Sequence, residues 1–214
     1  MKIIVINIAL LLISGNCVTL SGQNAVTAIA VDKMNVVYVG LDNPLTILCS
    51  QRYDSISTDN GMISKDSSGS VVYNLKPERA GIAQIIVWMG RDTVASKVMR
   101  VKRVPQPDIC IAGVAERDGK IELTKGELVT ASGINAMIAG FDYDAKWTIT
   151  GFTITLLRNG VVKEIRSSGS TFTQEMKQLM QTMNTGEFLW IDNIRVLAPD
   201  GTQMAMTTVK VIVK

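Results

Sequence analysis

Short apolar runs separated by turn residues fill most of the chain. Between residues 25 and 104 they read AVTAIAV (25–31), VVYVG (36–40), PLTILC (44–49), SVVYNL (70–75), GIAQIIVWM (81–89) and TVASKVMRVKRV (93–104). Turn signals lie between them: DNG at 59–61, DSSG at 66–69 and GRD at 90–92. Runs of this length at this spacing predict an all-β sandwich or barrel. Val71, Tyr73 and Leu75 alternate with other residues, as one face of a half-buried strand requires. In KMNVVYVGLDNPL (33–45), Asn43 precedes a proline and is pushed toward extended geometry. Asp42 and Asn43 both favour hydrogen bonds to nearby backbone, so LDNP predicts a turn between two strands ahead of a ligand loop.

Pro105 and Pro107 follow in RVKRVPQPD (100–108). They remove two backbone donors and stiffen the path, which places a short linker and a domain boundary near Val104–Asp108. The texture beyond it differs. TKGELVTASG (124–133) predicts one short helical turn closed by Gly133. In KWTITGFTITLLR (146–158), Phe152, Ile154 and Leu156 take one face and Thr153 and Thr155 the other. The NG at 159–160 then signals a hairpin into VVKEIRSS. Next the period changes: Met176, Leu179, Met180 and Met183 fall at i, i+3, i+4 and i+7, one apolar helix stripe over 173–184. Thr173 suits the N-cap, Glu175 the first turn, and Gly186 the far end. Two further strands, joined at PDG (199–201), close the chain. In the last, Val209, Val211 and Val213 oppose Thr208, Lys210 and Lys214. The expected fold is mainly β: two tandem Ig-like β-sandwich domains, at 25–104 and 108–214, the second carrying one short α-helix.

Composition sharpens this picture. The chain has 214 residues, 47% hydrophobic but only 5% aromatic, so its cores rest on Val, Ile, Leu, Ala and Met. The net charge of +3 is spread along the chain, without the basic cluster of a dedicated nucleic-acid binder. Residues 1–22 read as a signal peptide: one Lys, then an apolar run from Ile3 to Ile13. Eleven helical residues reach about 16 Å, short of a bilayer core of about 30 Å. An uncleaved anchor running to about Leu20 is the alternative, with Asn7 and Asn16 then in or near lipid. Cys17 has two readings. It is a candidate lipidation site, although Asn16 stands where a small residue is usual; otherwise it leaves with a leader cut near Thr19–Gln23. Cys49 and Cys110 lie in apolar runs and outside any CxxC pair, which favours two buried free thiols over one bridge.

With no histidine in the chain, Ser-His-Asp and Cys-His machinery is excluded, as are most catalytic zinc sites. Neither GxxxxGK[ST] nor GxGxxG occurs, so no phosphate-cradling loop is signalled. Asp142 and Asp144 could begin a calcium site but lack the further ligands of a known loop, and a solvated loop is favoured. Glu122, Glu127 and Asp192 are the remaining carboxylates that could pair as in a glycosidase, with no pattern bringing them together. The expectation is a non-enzyme without catalytic residues, cofactor or metal. Trp88, Trp147 and Trp190 fall in strands and are expected in the cores; an exposed one would mark a contact surface.

Five fragments occur together and in order: KMNVVYVGLDNP, MRVKRVPQP, DGKIELTKGELV with GFDYD after it, FTQEMKQLM and DNIRVLAPDGT. In this order they resemble the C-terminal, third and fourth periplasmic domains of the GldM/PorM family of gliding motility and type nine secretion in Bacteroidota. The resemblance covers nearly all of the chain after about residue 25. It implies dimer-forming Ig-like modules that connect an inner-membrane motor with an outer-membrane ring made of a lipoprotein and its partner, with no catalysis. The family begins with a cytoplasmic stub, a transmembrane helix and a helical periplasmic domain, whereas here a short leader runs into the third-domain-like strands. That departure favours a stand-alone relative with an adhesive or scaffolding role, periplasmic or at the outer membrane. The expected partners are cell-envelope proteins or a second copy, without nucleic acid, and with membrane contact only through leader or lipid. A surface-binding module for a glycan or peptide is the alternative.

Overall fold

The computed structural model describes residues 34–67 and 71–214. The leader, Cys17 and the AVTAIAV run lie outside the described residues. Among the described residues the first unit contains seven strands: β1 (Val36–Tyr38), β2 (Asn43–Thr46), β3 (Ser55–Thr58), β4 (Met62–Lys65), β5 (Val72–Lys76), β6 (Gly81–Met89) and β7 (Asp92–Lys102). They form two sheets, ordered β1-β7-β6-β3 and β2-β5-β4. These are the C-F-G and B-E-D layers of an immunoglobulin sandwich, with β1 added parallel to the last strand. Val37, Val39, Leu75, Ala83, Ile85, Met99 and Val101 fill the space between them. They are almost wholly aliphatic, as the low aromatic content requires.

The second unit follows the linker. Its strands are β8 (Asp108–Ile111), β9 (Val114–Ala115), β10 (Lys120–Leu123), β11 (Ile134–Met137), β12 (Thr148–Arg158), β13 (Val161–Ser167), β14 (Phe188–Leu197), β15 (Gln203–Ala205) and β16 (Val209–Val213). Five of them run β10-β16-β14-β12-β13, with β15 also paired to β14. The opposite layer is smaller, β11-β8-β9. Helices α1 (Lys125–Thr130) and α2 (Gln174–Gln181) add their buried Leu128, Met176 and Met180 to the same core. The parallel closure recurs here, with β10 beside the final strand β16.

The helix stripe is core: Met176, Met180 and Met183 are all fully buried. Thr173 caps α2 by accepting the Met176 N–H at 3.2 Å. The helix nevertheless stops at Gln181, before the 184 expected. Gly186 does not close it; at φ 88° it turns the chain toward β14, its N–H donating to the Val213 carbonyl at 2.8 Å. The helical turn expected at 124–133 is a second helix, held by a reciprocal cap between Thr124 and Glu127. It ends at Ala131, so Gly133 is not its terminator. Gly133 serves close packing instead: a Cβ there would lie 2.0 Å from the Ser170 carbonyl oxygen.

The hairpin at Asn159–Gly160 forms as expected, both residues having positive φ as a type I′ turn demands. Strands β3 and β4 were missed because SIST and MISK carry too few apolar residues to stand out. The tryptophans depart from expectation. Trp147 is buried, but it precedes β12. Trp88 and Trp190 lie half-buried on outer sheet faces, Trp88 donating its indole N–H to Ser57 Oγ at 2.7 Å.

Candidate interaction surfaces

The LDNP turn is built around Asn43, which is 1% exposed. Its Oδ1 accepts the Tyr38 N–H at 2.8 Å. Its Nδ2 is placed to donate to the carbonyls of Tyr38, Leu41 and Leu75 at 2.9–3.0 Å. Asn43 therefore holds the backbone of the turn and the neighbouring strand β5, and Asp42 stays exposed. Asn60 does the same at the next turn, donating to the carbonyls of Arg79 and Ile82 and accepting from the N–H of Arg79. Both asparagines satisfy backbone that would otherwise be buried unpaired.

Asp142 and Asp144 face a cleft at the junction of the two units, which Asp42, Tyr38, Lys102 and Tyr143 also line. Burial, with Tyr38 and Asp142 adding, pushes the Tyr143 phenol up. Among the described residues no three His, Cys, Asp or Glu side chains gather as metal ligands. The other carboxylates have separate settings. Glu127 accepts from the backbone N–H and hydroxyl of Thr124. Asp192 accepts from Thr155 Oγ1 at 2.7 Å and Asn193 Nδ2 at 3.0 Å. Glu122 is exposed on β10.

Cys49 and Cys110 are both free. Cys110 is buried in β8, and burial, then the charges of Asp108 and Glu116, raise its thiol pKa, which keeps it protonated and unreactive. Cys49 is only half-buried and lies beyond the end of β2, so it is not the core thiol expected.

The two units touch on both sides of the linker. Gly40, at φ 76°, presses its backbone against the turn at Pro199–Asp200; a Cβ there would lie 2.6 Å from Asp200 Cα. Arg103 pairs with Asp200 and donates to Thr202 Oγ1 at 3.3 Å. Burial is the largest single influence on Asp200 and opposes its ionisation. The Thr202 N–H and hydroxyl, with Arg103, outweigh it and hold the carboxyl below its usual range. On the other side Tyr38 packs edge-on against Phe141 and Tyr143, with ring centres 4.9 and 5.2 Å away.

Beyond the junction, the exposed apolar side chains include two groups on neighbouring strands. Leu157, Val161 and Val162 crowd the tip of the β12–β13 hairpin, Val161 being 67% exposed. Ile82 and Val98 stand on the outer face of the β6–β7 pair, Ile82 being 62% exposed. On β14 and β16, Phe188 meets Trp190 edge-on at 4.8 Å and Lys210 Nζ sits 3.8 Å from the Phe188 ring centre. No helix among the described residues is long and apolar enough to cross a membrane.

The architecture is a tandem of β-sandwiches. The family profile for the GldM C-terminal domain matches residues 105–214, the linker prolines and the whole second unit. The chain belongs to that family. No curated protein matches the sequence. Among solved structures, the Yersinia pseudotuberculosis adhesin InvE aligns over 83% of this chain and 56% of its own, at 9% identity and a TM-score of 0.27. Domains 4–9 of the surface layer protein SbsC align over 84% of this chain and 30% of theirs, at 14% identity and a TM-score of 0.22. The chain thus spans little more than half of the first of these, and the scores are too low to carry an argument.

Proposed function

We propose that this protein is a non-enzymatic, exported scaffolding module that makes protein–protein contacts in the cell envelope, in the periplasm or at the outer membrane. The match of the second unit to the GldM C-terminal domain carries this reading. The exposed apolar tip at Leu157, Val161 and Val162 supports it, since clustered apolar side chains on a surface mark contact sites. The partners are cell-envelope proteins, an outer-membrane ring lipoprotein and its companion among them, and a second copy of the chain.

The test is affinity capture from envelope fractions of the native host under mild crosslinking, with the products identified by mass spectrometry. Specific envelope proteins should co-purify, and Val161→Asp with Val162→Asp should reduce their yield. Recovery of the bare monomer alone would overturn the proposal.

A further inference from the structure

The large sheet of the second unit carries a polar groove that none of the surfaces above includes. The ladder between β12 and β14 is irregular, with register shifts between Ile149 and Gly151 and again between Gly151 and Thr153. Opposite these, Asn193 on β14 takes a left-handed φ of 50°. Such irregularities bend a sheet and aim side chains away from it. Gly151 adds room, because a Cβ there would lie 3.0 Å from the Ser167 carbonyl oxygen. The result is a trough of about 860 Å³ lined by β12, β13 and β14 residues.

Two arginines flank it. Arg166 pairs with Thr153 across one side of β12, and Arg195 with Gly151 across the other. Two strand spacings across and two residues along place their backbones about 12 Å apart. Both are exposed, and neither guanidinium has a hydrogen-bond or ion-pair partner among the described residues. Two basic residues near the hairpin of the same sheet are paired, Arg158 with Glu187 and Lys163 with Glu175. Asp192, opposite Thr153 in register, accepts from Thr155 and Asn193, neutral groups that orient its carboxylate and leave its charge in place. The groove therefore presents two arginines without an ion-pair partner among the described residues, beside the hydroxyls of Ser168 and of Thr150, which donates to the Arg195 carbonyl at 3.3 Å.

We propose that this groove binds an extended acidic segment of a partner protein, with Arg166 and Arg195 each holding one carboxylate. Acidic residues two apart in an extended chain stand about 7 Å apart on one face. Two long arginine side chains rooted about 12 Å apart can converge on both, and the planar guanidinium suits bidentate carboxylate recognition. A saccharide would gain from an aromatic platform, and the one aromatic here, Phe152, is buried. The proposal rests on the scaffolding reading and names a surface and a partner chemistry for it.

The experiment is an amide-resolved NMR titration of the full chain. The probes are a short capped peptide with two glutamates two positions apart, its glutamine counterpart, an oligogalacturonide of equal charge and inorganic phosphate. The glutamate peptide should shift the amides of Gly151, Arg166, Asn193 and Arg195 and bind best at low salt. Arg166→Ala with Arg195→Ala should weaken it about tenfold. Equal binding by the glutamine peptide, or no effect of the double variant, would overturn the proposal, as would oligogalacturonide or phosphate binding as tightly. In envelope capture, a double variant that keeps every partner removes the groove and leaves the scaffolding reading standing. A parent chain that captures nothing removes the scaffolding reading instead, and the peptide titration then decides the groove alone.

Discussion

Replacing Asn43 by alanine should cost the first sandwich about 3 kcal/mol. The side chain accepts one backbone N–H and supplies two N–H hydrogens to three carbonyl oxygens, so one hydrogen is shared. That is about three full hydrogen bonds at about 1 kcal/mol net each. Truncation also leaves the Leu75 carbonyl, in a residue with no exposed surface, short of a partner. Against a domain stability of about 5–15 kcal/mol this is a large fraction. The assay is urea unfolding followed by amide NMR, which separates β6 and β7 from β12 and β14. With a slope of about 1 kcal/mol per molar, the midpoint of the first group should fall by about 3 M while the second barely moves. Asn43→Asp should be worse near neutrality, because a carboxylate would face three carbonyl oxygens, and should partly recover on acidification as it gains a proton to donate. A midpoint for β6 and β7 within about 0.5 M of the parent would refute the assignment of Asn43 as the organiser of this turn.

Three further outcomes are expected. Gly40→Ala combines a left-handed backbone with a side chain driven into Asp200, so the proton contacts between Tyr38 and Phe141 should vanish while both sandwiches stay folded; unchanged contacts would contradict the junction. Met180→Ala empties a fully buried position and should lower the stability of the second sandwich by about 2–5 kcal/mol in urea melts; a loss below about 1 kcal/mol would argue against the packed stripe. Glu116 is raised above the ordinary carboxylate range, first by burial and then by Asp108, and one of its oxygens is buried without a partner. Its folded form resists ionisation, so stability should fall as pH rises from the ordinary carboxylate value through the raised one. Glu116→Gln should therefore stabilise the chain at pH 7 but not at pH 4, and parallel curves for the two proteins would refute this.

The sequence conveyed much of the fold because its signals were local. The turn at Asn159–Gly160, the cap at Thr173 and the methionine stripe each depend on a few adjacent residues and survive translation into structure. What stayed hidden depends on distant neighbours. Strands β3 and β4 are polar enough to pass for loop and become strands because β6 and β5 offer them partners. Gly133 looked like a helix terminator, yet its lack of a side chain matters for the approach of Ser170. The two half-buried tryptophans show the limit of composition, since alternation tells two faces apart without saying which is covered. The groove between Arg166 and Arg195 lay beyond sequence reading altogether. Those residues lie on different strands, and the pairing of β13 and β14 on either side of β12 brings them to one trough.

In the first sandwich β1 runs alongside, and in the same direction as, β7, the strand that leads into the linker; in the second the parallel neighbour of β16 is β10, which follows β8 and β9. Tension applied across the first body therefore drags these two neighbours, β1 and β7, lengthwise past one another. The rungs of the ladder must yield together, where an antiparallel closure would peel open one rung at a time. Pro105 and Pro107 stiffen the stretch that follows β7, so a pull that reaches the first sandwich through the linker loads it in this shear geometry.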